Sequence, residues 1–349
     1  MDDIARELDS PVIGQSEPPR RARWRLLLAG GIWIYVAAMV LLALWMHAYG
    51  DRRWLATLFL FGPRWVCAVP LPPLVAAAAI WQRWLLPPLA IAGMVIVGPI
   101  MGLCVHPDLS NTTFHDLRVL TCNVEQDALR PLALAVLVED EQVDVVALQE
   151  VRNPRRYEWP PRWYVVAHDE FLLASRFPIV EQEYVTRPRN AFELAGIRYT
   201  IELPDRQVQI FNLHLESPRS GLEAVLDSRT LIDLSQAPRL KAVIEARAVE
   251  SARTSQWIAG FAGAKIAVGD FNMPVESVIY GRDWSPLTNA FSTAGWGFGC
   301  TKRTAVRGWS FGTRIDHVLW DGPWRCPRSW VAADAGSDHL PLLADFIFQ

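Results

Sequence analysis

The sequence predicts an α/β domain set behind an amino-terminal block of membrane-crossing helices. Three observations lead there. Leu26–Met46 is uncharged and almost wholly apolar. Past residue 106, apolar runs of strand length alternate with stretches of helical spacing, the pattern of α/β folds. Five of those apolar runs end in residues able to bind a metal or a phosphate, and in open α/β sheets such strand ends share one rim.

Hydropathy sets the amino-terminal elements. Residues 1–25 read as a polar, disordered tail ending in a basic cluster, Arg20, Arg21, Arg23 and Arg25. Leu26–Met46 is long enough, as a helix, to span the ~30 Å hydrocarbon layer of a bilayer. Its length and its flank of Trp45, His47 and Tyr49 suit a retained anchor better than a cleaved signal peptide. Leu55–Gly62 reads as a short interfacial segment. Trp65–Ile80 reads as a second crossing, kinked by Pro70, Pro72 and Pro73, and Trp84–Val105 as a third. Residues 26–105 then form a transmembrane region of about three helices. Four arginines before the first helix and Arg83 after the second outweigh Arg52, Arg53 and Arg64 on the other side. The positive-inside rule therefore keeps the amino terminus cytoplasmic, and three crossings carry residues 107–349 outside; two crossings would reverse that.

The second region follows in order. Leu117–Val124 is a strand that reaches Asn123, Ala128–Asp140 has helical spacing, and Val143–Glu150 is a buried strand ending in Glu150. Val165–Ala167 and Phe171–Ser175 are strands about a His168–Glu170 turn, with Arg176 just beyond. Ile197–Leu203 and Gln207–His214 form a hairpin that closes on His214. Ser235–Phe261 is helical and carries Arg253. Lys265–Pro274, KIAVGDFNMP, is a buried strand ending in Asp270 and Asn272. As alternate residues of a strand these two share a face; a strand-capping Asx turn is the plainer reading. Arg314–Trp320 is a strand with Asp316. Gly336–Pro341 is a tight, exposed turn bearing Asp338 and His339 before the last strand, Leu342–Phe348.

From residue 107 on, 25 Arg and Lys face 31 Asp and Glu, and only Lys241, Lys265 and Lys302 are lysines. A nonspecific duplex-DNA binder needs clustered cations to displace phosphate counterions, and this balance argues against one. Arginine dominance suits local, bidentate phosphate contacts. Neither HExxH nor CxxC occurs, and Gly295–Gly299 reads as a flexible aromatic loop. Cys67 and Cys104 fall in membrane segments and Cys122 reads as buried, while Cys300 and Cys326 could pair in an oxidising compartment. Trp284, Trp296, Trp309, Trp320, Trp324 and Trp330 fit either core packing or an aromatic rim on a membrane.

The stretches TCNVE, ALQEV, LLASRFPI, NLHLES, VGDFNMP, RIDHVL and SDHLPL occur in that order over nearly all of residues 107–349. In them the sequence resembles the endonuclease/exonuclease/phosphatase superfamily, and the three preceding crossings look like its membrane-anchored bacterial branch. The resemblance implies a four-layer sandwich, two mixed β-sheets face to face and flanked by helices. It implies a Mg²⁺-dependent hydrolase, with Mn²⁺ as a substitute, acting on a phosphodiester, pyrophosphate or phosphomonoester. Glu150 would be the main carboxylate ligand, Asn123 an oxygen ligand beside it, and Asp338 a direct or water-mediated one. His339, oriented by Asp316, would act on the attacking water. Asp270 and Asn272 would position that water and the phosphate, and His214 would donate to a nonbridging oxygen. Arg176, Arg253 and Arg219 are candidate phosphate contacts, a solvated helix face being the plainer reading of Arg253. The lipid bilayer of a bacterial inner membrane is the expected partner. The acidic domain and the tether favour a lipid-linked substrate over nucleic acid; a tethered nuclease and an inactive envelope-binding domain are the alternatives.

Overall fold

The computed structural model describes residues 20–106, 114–225, 233–306 and 309–349. The expected tail lies outside them as far as residue 19. From there the chain is helical: α1 (Arg20–Tyr49) absorbs the basic cluster into its first turns, so residues 20–25 are helix and not tail. Next come α2 (Trp54–Phe61), α3 (Leu71–Trp81) after a 3₁₀ turn at Arg64–Ala68, and α4 (Leu86–Val95), which continues as a π turn through Ile100 around Pro99. Arg23–Arg52, Arg64–Trp81 and Arg83–Ile100 are each long and apolar enough to cross a membrane. At one end of this block Gln82 Nε2 donates to Arg25 O (2.6 Å), and at the other Arg64 Nη1 donates to Ile100 O (2.8 Å). The three long segments therefore run up, down and up around Ile32, Val36, Ala78, Leu85, Leu89 and Ala92. Their outer faces are apolar too, with Ile34 and Ile80 both 72% exposed. The third segment stops short of the expected Val105, because Cys104–Val105 forms a short strand, β1.

The remaining chain runs β2 (Leu117–Asn123), α5 (Pro131–Asp140), β3 (Val145–Gln149), β4 (Tyr164–His168), β5 (Phe171–Ser175), β6 (Ile179–Thr186), β7 (Leu194–Leu203), β8 (Arg206–His214), α6 (Arg219–Val225), α7 (Ala237–Ala259) and β9 (Lys265–Asp270). It continues through α8 (Val278–Asp283), β10 (Thr288–Asn289), α9 (Ala290–Ala294), β11 (Trp296–Gly297), β12 (Lys302–Val306), β13 (Trp309–Thr313), β14 (Asp316–Asp321), β15 (Trp324–Val331) and β16 (Leu342–Phe348). Two mixed sheets result, ordered β10-β14-β9-β8-β7-β6 and β15-β16-β2-β3-β5-β4. In each, one central pair is parallel, β8 with β9 and β2 with β3.

The sheets pack face to face over Val119, Val145, Ala147, Ile210, Ile266, Val268 and Val318. Outside one sheet, Leu134 and Val138 of α5 lie on Val146 and Leu148. Outside the other, Ile258 of α7 and Ile279 of α8 lie on Phe211, Ala267 and Leu319. This is the four-layer sandwich the sequence led us to expect. Helix α2 is less interfacial than expected, since its Trp54 and Leu58 pack on Val225, Leu240 and Ile244 of α6 and α7.

Three smaller expectations are corrected. Gly295–Gly299 is not a free loop, because β11 within it pairs with β1. All five cysteines are free, so Cys300 and Cys326 do not pair, and Cys104 leaves the helical block to sit 3.1 Å from Arg314 Nη1. The aromatic rim largely dissolves: Trp284 and Trp324 are buried, Trp320 and Trp330 half-buried, and Trp296 is exposed; the Trp309 side chain lies outside the described residues.

Candidate active site

Strand alternation and register build the site. Along β9, Ile266 and Val268 point between the sheets, and Asp270, two residues further on, points the same way. Asp270 is the register partner of His214 on β8 and of Asp316 on β14. Three adjacent strands thus place their polar side chains at one level. In the facing sheet, Asn123 of β2 is paired with Gln149 of β3, and Glu150 follows directly. Between this level and the apolar core lies a buried amide layer, in which Gln149 Nε2 donates to Thr121 Oγ1 (3.1 Å) and Asn212 Oδ1 (2.6 Å). The inner faces grade from apolar through amide to charged, and the charged level is the rim.

Backbone geometry at the strand ends is specialised. Gly269 has φ +133°, and a Cβ there would lie 2.0 Å from Leu213 O, so only glycine lets β8 and β9 approach this closely. Glu150 and Asn272 both adopt left-handed φ, 58° and 52°. For Asn that costs little; for Glu it is local strain of the kind held at functional sites.

The contacts form one network. Asn123 Nδ2 donates to Glu150 Oε1 (2.8 Å) and to Asp270 Oδ2 (3.1 Å). His339 Nδ1 lies 2.9 and 3.1 Å from the two oxygens of Asp316, and its Nε2 lies 3.6 Å from Asp270 Oδ2. His214 Nδ1 meets Glu170 Oε1 at 2.7 Å, leaving Nε2 3.6 Å from Glu150 Oε1. Asp270, Asp316 and His339 offer three potential ligand atoms within 4.8 Å of one another. The donor set around Asp270 and Glu150 is dominated by carboxylate oxygens, which suits a hard divalent cation.

Electrostatics sharpens the roles. Burial, then the charge of Asp316, raises the Asp270 carboxyl above the usual range. A nearby cation would relieve that cost. Burial would also raise Asp316, but the charge and hydrogen bond of His339, with the Thr301 hydroxyl, outweigh it and hold Asp316 low. Burial opposes the charged form of His339, yet Asp316 and Asp270 raise it to about 9. His214 is raised against burial by Glu170, whose own carboxyl is lowered by His214 and Arg187 despite burial.

Not every expected residue takes its expected part. Asn123 turns its amide nitrogen to the carboxylates, with Glu125 N donating to its Oδ1 (2.9 Å), so that it spaces two acids. Asn272 leaves the strand alternation: its N–H caps Asp270 Oδ1 (2.8 Å), the Asx turn, and its Nδ2 goes to Leu215 O (2.8 Å). His339 sits in the predicted turn but is buried, not exposed. Asp338 pairs with Lys302 and lies 3.8 Å from His339 Nε2. Arg219 stands exposed at the start of α6, paired with Glu223 at 2.7 Å and within electrostatic reach of Asp338 and Glu125. Arg176 is removed from the set: it pairs with Asp144 (2.7 Å) at the end of the sheet opposite Glu150. Arg253 is exposed on α7, off the face that the helix buries. Glu170, Arg187, Thr301 and Lys302 were missed. Glu170 stood in a turn already noted; the others lie in loops or an edge hairpin, where no strand-end pattern marks them.

Comparison with known proteins gives the family and the fold. A sequence model described as Endonuclease/Exonuclease/phosphatase family matches residues 120–339. No curated protein matches the chain. Among solved structures, a humanized D. rerio TDP2 is 15% identical, covering 66% of this chain and 98% of its own, with a TM-score of 0.50. A 3′-5′ exonuclease from Neisseria meningitidis is 17% identical over 66% of this chain and all of its own (TM-score 0.47). An AP endonuclease from Archaeoglobus fulgidus is 15% identical over 67% and 99% (TM-score 0.47).

Proposed function

Because the chain belongs to the endonuclease/exonuclease/phosphatase family, we propose that it is a divalent-metal-dependent hydrolase of phosphoester bonds, held at a membrane by its amino-terminal helices and acting on a lipid-linked phosphodiester, pyrophosphate or phosphomonoester. One observation carries the reading: Asn123, Glu150, His214, Asp270, Asp316 and His339, from two sheets, meet in one network at one rim.

Glu150 would hold the metal as its main carboxylate ligand, and a bound Mg²⁺, or Mn²⁺ in its place, would supply Lewis-acid charge to the phosphate and leaving oxygens. Asp270, its carboxylate held by Asn123 Nδ2 and the Asn272 N–H, takes the proton of the attacking water. His339, kept protonated by its two carboxylate neighbours, donates through Nε2 to the phosphate, in place of the action on water expected from sequence. His214, with Nδ1 held by Glu170, presents Nε2 to a nonbridging oxygen. Attack is in line, with no covalent intermediate on the protein. Three features support the lipid-linked substrate: the apolar outer faces of the helical block, the excess of acidic groups in the domain, and contact of the segment after Asp270 with that block through Asp51 and Arg64.

Purified full-length protein in detergent should be assayed against prenyl pyrophosphates, phospholipids, and single- and double-stranded DNA. The lipid substrates should be cleaved with Mg²⁺ and spared with EDTA. Preferential cleavage of DNA would replace the lipid reading with a tethered nuclease. Wild-type rates in Asp270→Asn and His339→Ala would remove the mechanism.

A further inference from the structure

Arg247 is a fully buried cation on α7. Its Nε donates to Glu216 O (3.0 Å) and its Nη2 to Asn272 O (2.7 Å). Those two carbonyls lie just beyond His214 and Asp270 in the chain, so one guanidinium clamps the exits of two strands that carry site residues. Its third nitrogen, Nη1, has no hydrogen bond among the described residues and faces Asp51 Oδ2 at 3.8 Å.

Asp51 belongs to the turn after α1, far away in sequence. It too is fully buried. Its carboxylate accepts from Ser277 Oγ (2.5 Å) and from Ile279 N (3.2 Å). A second strut stands beside it: Arg64, bonded to Ile100 O, pairs with Glu276 Oε2 at 3.0 Å. Gly102 lets Glu276 in, since a Cβ there would lie 2.3 Å from Glu276 Oε1. The segment from Asn272 to Ile279 is thus held by the clamp on one side and by the helical block on the other.

A buried guanidinium without a counter-charge is strongly unfavourable, and Asp51 supplies the nearest one. We propose that Asp51 is a positioning residue of the active site: by neutralising Arg247 and fixing Ser277 and Ile279, it sets the spacing of His214 and Asp270. The helical block is then a working part of the site as well as an anchor. This inference rests on the phosphoester-hydrolase reading, because it concerns the alignment of that site. Displacing a reacting group by ~1 Å can cost about 10²-fold in rate, while ground-state binding of substrate need not change.

The test uses the full chain in detergent micelles. Asp51→Asn keeps the shape and removes the charge. The expected result is a kcat lowered about 10- to 100-fold with KM little changed. Hydrogen exchange should quicken at the amides of Leu215, Glu216, Phe271 and Asn272, and stay as in wild type at core amides such as Val268 and Val146. An unchanged kcat overturns the proposal, as does a loss of kcat that merely tracks global unfolding, or normal exchange at those four amides. Should Asp51→Asn fail to fold, Ser277→Ala, which removes the hydroxyl that holds the carboxylate and also caps α8 through Tyr280 N (3.0 Å), must show the same pattern at Leu215, Glu216, Phe271 and Asn272 at smaller amplitude, beyond any quickening within α8 itself. If the wild type hydrolyses none of the phosphoesters offered, the functional reading fails, and the exchange data alone decide whether Asp51 orders the two segments.

Discussion

Asp270 accepts from Asn123 and from the Asn272 amide and faces His339, so its charge is shared by three neighbours before any substrate arrives. Asp270→Asn keeps the shape and removes the proton acceptor; kcat should fall by about 10²–10⁴ with the protein still folded. His214→Ala removes one donor and should cost roughly 10²–10³. Both are read from kinetics on the lipid substrate. In the metal-free protein His339 titrates at about 9, above the ~6.5 of an ordinary histidine. Folding therefore gains from its proton, fully below pH ~6.5, and loses that gain as pH rises through about 9. Thermal midpoints measured between about pH 6 and 10 should decline across that window, and Asp316→Asn should flatten the decline. Asp270 and His214 were legible because each ends an apolar strand, and His339 because it stands in the turn before the last one. Arg247 was legible in principle: it occupies the buried stripe Leu240, Ile244, Arg247, Ser251, Thr254, Ile258 of α7, where a charge demands a partner. That the partner is Asp51 could not be read, since nothing local to either residue encodes the contact.

At the scale of elements, the strands buried on both faces announced themselves as continuous apolar runs: β2, β3, β5, β8 and β9. The missed ones explain themselves as well. β6, IVEQEYVT, is an edge strand exposed along most of its length, so its charges mask the alternation. The β12–β13 hairpin stands outside both sheets, and α8 and α9 are too short for a helical period to register. A close element contact that carries the site is β8 against β9 at Gly269. Gly269→Ala would press a methyl onto Leu213 O in a left-handed backbone. Overpacking and strain together should destabilise the fold by about 3 kcal/mol, measured by chemical denaturation, and activity should fall because His214 and Asp270 sit at the end of that same pair.

For the whole molecule, hydropathy located the helical block but not its seam with the sandwich, which joins apolar contacts of Trp54 and Leu58 to isolated charges such as Asp51, Arg64 and Glu276. Three crossings and the arginine balance lead us to expect a reporter fused after residue 349 to be active outside the cytoplasm, and the protein to resist an alkaline carbonate wash of membranes. A soluble or cytoplasmic reporter signal would refute that topology. One last consequence follows from β16. It lies inside its sheet, between the edge strand β15 and β2, and Arg118 Nη2 reaches Asp345 Oδ2 at 2.8 Å across 227 residues of chain. Until residues 342–348 pair with it, β2 keeps one unpaired edge. Before that pairing, β2 with β3, β5 and β4 is an unfinished half-sheet with an adhesive edge. His339 stands just before β16 and meets Asp316 of the other sheet, so docking of that one strand closes the sheet and brings the histidine to its carboxylate together.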